Sequence, residues 1–171
     1  PNRVLIRYRS ASKCILIILL IAGSWNYAPA WRNPFQLARW TVDRFPESWR
    51  GNINLSREYY HLRDFEAGLR HARKAIRLQP SHALGWDWVG LNATFIDERQ
   101  AEADPAFLRA LELGPGLHEV HRHRSNLLQI QGRFSEAAKA LRKYLSQPGI
   151  TDQEKIVRKL EQLDARADSL P

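Results

Sequence analysis

Small or apolar residues three positions apart, followed five residues later by a proline, recur at a near-constant interval along this chain. Ala72, Ala75 and Pro80 set the pattern. Thirty-four residues earlier stand Ala38, Thr41 and Pro46, and thirty-five later stand Phe107, Ala110 and Pro115. Another thirty-four along, Leu141, Tyr144 and Gly149 keep the phase, with Pro148 one place early. Positions three apart share one helix face, so small side chains there let a second helix approach closely. Proline lacks an amide hydrogen and stops the helix, which turns the chain into the next unit. A period near 34 with these properties predicts a stack of helix-turn-helix units.

The upstream half of each unit agrees. Leu55, Ser56 and Tyr59 fall in step with Trp86, Val89, Gly90 and Ala93, and more loosely with His121, Arg124, Ser125 and Leu128. The turn and second helix begin with "RDFEAGLRHA" (63–72) in one unit and "GRFSEAAKAL" (132–141) in another. Trp86, Gly90, Ala103, Phe107, Ala110 and Pro115, like Leu55, Tyr59, Ala72, Ala75 and Pro80, resemble the tetratricopeptide repeat (TPR) pattern. The departures are Gly68 for the usual alanine, Arg124 for the usual leucine, and one extra residue around "IDERQ" (96–100). The resemblance implies an all-α, right-handed TPR superhelix with repeats at 47–80, 81–115 and 116–149.

Both ends fit such a stack. Residues 32–46 match only the second half of a repeat, with Asn33 suited to cap a helix and Pro34 suited to its first turn. Residues 150–171 carry an Ile156, Leu160, Leu163 stripe behind a Thr151–Glu154 capping box, which predicts a solubilising last helix.

The front end is of a different kind. Residues 1–13 hold Arg3, Arg7, Arg9 and Lys13 and no acid, and residues 14–31 hold no charge at all. Extended back to Ser10, that run reaches the ~20 residues a bilayer-spanning helix needs. Trp25, Tyr27 and Trp31 sit where an aromatic belt meets the far interface. The basic side predicts a cytoplasmic N-terminus, which places the repeats in a periplasm or lumen. A secretory signal with cleavage near Ala30 fits the same residues. A chain without Met that starts at Pro1 is expected to be a fragment or a processed product. The order of parts, with "WRNP" (31–34) and "PESWR" (46–50), resembles the tail of multispanning lipid-linked-sugar glycosyltransferases, including O-mannosyltransferases with TPR tails. That resemblance implies catalytic residues outside this chain.

Little else points to catalysis. No phosphate loop, nucleophile elbow or C-x-x-C occurs, so neither enzyme chemistry nor a cofactor is expected. His118 and His121 share a helix face near Glu119, but zinc usually takes three or four protein ligands, so no metal is expected. Half of the net charge of +8 comes from the first thirteen residues, which argues against nucleic acid as a partner. The repeats alternate in charge. The first has seven basic and four acidic residues, the second two and six, the third six and two.

By the TPR resemblance, the first helices line a groove for a protein or peptide. Its expected lining includes Arg50, Arg57, Tyr60, Asp87, Leu91, Arg122 and Asn126. The basic and amide members suit a partner with an acidic tail, because arginine grips carboxylates bidentately. The reading is thus a membrane-tethered scaffold, with the glycosyltransferase-like tail as its alternative.

Overall fold

The computed structural model describes residues 33–168. The basic segment 1–13, the uncharged run 14–31 and the cleavage position near Ala30 lie outside them. Among the described residues there are eight α-helices and no strand: α1 (Pro34–Arg44), α2 (Trp49–His61), α3 (Phe65–Leu78), α4 (Ala83–Ala93), α5 (Gln100–Leu113), α6 (Glu119–Ile130), α7 (Phe134–Leu145) and α8 (Gln153–Asp168). No helix among them is long and apolar enough to cross a membrane.

Each helix packs on the next in chain order, so α2–α3, α4–α5 and α6–α7 form three hairpins. The first helices of neighbouring hairpins also touch, α2 on α4 and α4 on α6, whereas the second helices barely meet. The stack therefore curves with α2, α4 and α6 inside.

Local chemistry sets the boundaries. Asn33 accepts the Phe35 amide at 2.8 Å and Pro34 opens α1. Ser48 and Asp64 cap α2 and α3 through the amides of Gly51 and Ala67. The start of α8 departs from expectation. Its first helical bond runs from the Ile156 amide to the Asp152 carbonyl, so the Thr151–Glu154 box does not set its start.

The hairpin turns differ in one informative way. After α6, Gly132 takes a left-handed φ of 73°, its amide bonds to Gln129 and that of Arg133 to Leu128. After α2 the same double bond forms, from Arg63 to Tyr60 and from Asp64 to Tyr59, but Arg63 holds φ at 60°. Glycine suits that position because a Cβ crowds the neighbouring carbonyl there. Arg63→Gly is expected to stabilise the fold by about 1 kcal/mol, or roughly 2–4 °C in Tm for a chain of this size. A thermal melt that moves downward would contradict the turn geometry. After α4 no such turn forms. The extra residue is absorbed by a 3₁₀ turn, Asp97–Arg99, ahead of α5.

Two core clusters run through the stack. Leu69, Ala72, Val89, Leu91, Phe107, Val120 and Leu127 fill the first, and Leu128, Ala137, Leu141, Tyr144 and Leu163 the second. Ile156 and Leu160 pack against the latter, so α8 covers the open end. The close approaches depend on glycine. A Cβ on Gly90 would lie 2.6 Å from the Phe107 ring. A Cβ on Gly68 would lie 2.0 Å from Oδ1 of Asn92, which explains the missing alanine. The buried Asn92 donates to Ser56 Oγ at 3.1 Å and to the Trp88 carbonyl at 2.8 Å, tying α4 to α2.

Charge joins the units. Arg73 on α3 pairs with Glu102 on α5, and Arg124 on α6 pairs with Asp104 on α5. The arginine that replaces the expected leucine at 124 thus serves an inter-helix ion pair.

Candidate binding groove

The inner face of α2, α4 and α6 is not uniformly open. Leu91 is only 8% exposed and belongs to the core beneath the groove, not to its lining. Asp87 is also buried, and its Oδ1 lies 2.9 Å from Nδ1 of His123 on α6. It joins two first helices and is not offered to a ligand. Both side chains were expected at the surface because helical spacing alone does not show how closely α4 and α6 approach.

The basic candidates are separated along the stack. Arg50 stacks over Trp49 at 4.3 Å, and Arg57 pairs with the neighbouring Glu58 at 3.1 Å. Tyr60 is half-buried among aromatic rings, 5.5 Å from Phe65, 5.7 Å from Trp88 and 5.8 Å from Phe95. Burial raises its phenol pKa first, Asp87 adds to the rise, and Arg122 and Arg63 oppose it. Tyr60, Asp87 and Arg122 therefore share one electrostatic neighbourhood across α2, α4 and α6.

Arg122 and Asn126 converge at the far end, one turn apart on α6. Arg122 donates to Oε2 of Glu119, whose Oε1 accepts the Tyr144 hydroxyl at 2.7 Å. Burial alone would raise the Glu119 carboxyl, yet those two hydrogen bonds hold it below its usual range. The same bond, donated to Glu119, raises the Tyr144 phenol. The carboxylate nearest the His118–His121 pair is thus already engaged. Burial, followed by the charges of Lys143, His118 and Arg124, lowers the His121 pKa.

The residues missed from the sequence come from α8. Lys159 donates to Asn126 Oδ1 at 2.8 Å. With Arg122, Tyr144 and Lys155, these two residues line a recess of about 330 Å³. Lys155 and Lys159 also line an open trough of about 870 Å³, with Gln129 of α6 and Arg158, Gln162 and Arg166 of α8. Burial first, and then Arg122, push the Lys159 ammonium below its usual pKa. Carboxylates share the lining, Glu119 and Asp152 in the recess and Asp152 and Glu154 in the trough. The signal was present as Lys155, Lys159, Gln162 and Arg166 at helical spacing, but a capping helix reads as a solvated surface.

No protein-family model matches the sequence, and neither does any curated protein. Solved structures do match the fold. A crystal structure of MamA protein superposes with a TM-score of 0.63 at 15% identity, covering 90% of this chain and 84% of that one. A second crystal structure of MamA gives 0.60 at 15% identity over 78% and 86%. This is a TPR-like fold. In TPR terms, the recess lies where the last repeat's first helix meets the capping helix.

Proposed function

We propose that the chain is a non-enzymatic scaffold that binds a protein segment bearing carboxylates in the trough between α6 and α8. The observation that carries this reading is the pair Lys155 and Lys159 of α8, which line the trough and also the recess that they share with Arg122 and Asn126 of α6. Arginine and lysine heads on opposite walls can hold a terminal carboxylate and an acidic side chain together. Because the helices are already packed, little ordering would oppose binding. The likeness to MamA supports the helical scaffold on which this rests. The uncharged run 14–31 supports a tether that holds the scaffold to a membrane, with the repeats on the periplasmic or lumenal side.

A fluorescent peptide ending in three acidic residues and a free carboxylate tests the trough. Lys155→Glu with Lys159→Gln is expected to weaken binding at least tenfold at moderate salt, with far-UV dichroism unchanged. Raised salt should weaken the parent in the same direction. Unaltered affinity in the double variant would defeat the reading.

A further inference from the structure

We infer that the edge of the stack formed by the α2–α3, α4–α5 and α6–α7 turns lies against a lipid surface. This rests on the proposed tether and adds an orientation to it. Leu62, Phe95 and Ile130 are 61%, 46% and 50% exposed. They stand at the ends of α2, α4 and α6, so the curved stack places them in a row along one edge. Behind the row sits an aromatic group. Phe65 and Phe95 stack at 4.7 Å, and Tyr60 and Trp88 pack beside them. Aromatic rings with polar tips favour the depth of lipid headgroups.

The chain's point of entry selects the same edge. Phe35, in the first turn of α1, packs on Tyr59 in the last turns of α2, with ring centres 5.2 Å apart. Asn33 therefore lies beside the row and not at the opposite edge. Only Arg32 and Asn33 separate the uncharged run 14–31 from α1. Two residues reach about 7 Å at most, while α2 alone extends about 20 Å. A span ending at Trp31 would hold this edge near the headgroups and the Phe45 and Leu84 edge well away. The charges along the row are mixed. Arg63, Arg99 and Arg133 stand among Asp64, Asp97, Glu98 and Glu136. The contact is thus apolar, and anionic lipid should add little.

The full chain in phosphatidylcholine vesicles provides the test. With Cys14→Ser as background, an environment-sensitive dye is attached through Leu62→Cys, Phe95→Cys or Ile130→Cys, and separately through Phe45→Cys or Leu84→Cys. The first three are expected to be quenched at least twofold more by lipid-borne spin label than by aqueous iodide, and the last two the reverse. Equal iodide access at both edges, in chain that floats with the vesicles, would overturn the orientation alone. Chain that does not float would overturn the tether, and the orientation with it.

Discussion

Phe107→Ala is expected to lower stability by about 3–5 kcal/mol. Phe107 is the largest of the fully buried side chains among the described residues, and its ring fills the space against Gly90 on α4. His123 of the next hairpin lies 6.3 Å from the same ring. The ring therefore joins both helices of the second hairpin to the first helix of the third. Its removal leaves a hole bordered by a glycine, which has no side chain to move into it. Urea denaturation followed by far-UV dichroism would measure the loss. A shift worth less than ~1 kcal/mol would mean that the site collapses freely, unlike close-packed interiors.

Gly68→Ala is expected to cost about 2–4 kcal/mol, from overpacking together with a disturbed buried amide. The new Cβ would fall 2.0 Å from Oδ1 and 2.7 Å from Cγ of Asn92. The amide is fully buried, so it could move only by straining its bonds to Ser56 and Trp88. The same substitution in an Asn92→Ala background should cost less than ~1 kcal/mol, because the methyl then enters vacated space. A double-mutant cycle reads the difference. Additive losses would show that the two positions do not touch.

These glycines mark what was legible in the sequence and what was not. The recurring small residues, the prolines and the extra residue near 96–100 define hairpins in chain order, because each acts on its own backbone. Gly90 also reads directly, as the small residue of a helix contact. Gly68 reads as a departure until Asn92, twenty-four residues away, is placed against it. The groove shows the same division. Arg122 and Asn126 are singled out by position within a repeat, whereas Lys155 and Lys159 belong to no repeat. Leu91 and Asp87 were misplaced outward because their burial depends on how closely α4 and α6 approach. Periodicity gives the face of a helix, and only the packed neighbour decides whether that face is covered.

The ion pairs on α5 have a consequence for how such an array can change length. Glu102 and Asp104 answer arginines from opposite sides, Arg73 of the preceding hairpin and Arg124 of the following one. Repeat arrays commonly gain or shed whole modules through duplication and deletion, since each module needs only its neighbours. Excision of the middle module here would bring two cationic modules together and strand both arginines. Duplication of either outer module would create the same mismatch at a new seam. Growth or trimming in step with the charge pattern would have to proceed by adjacent pairs, so these three modules keep a fixed order.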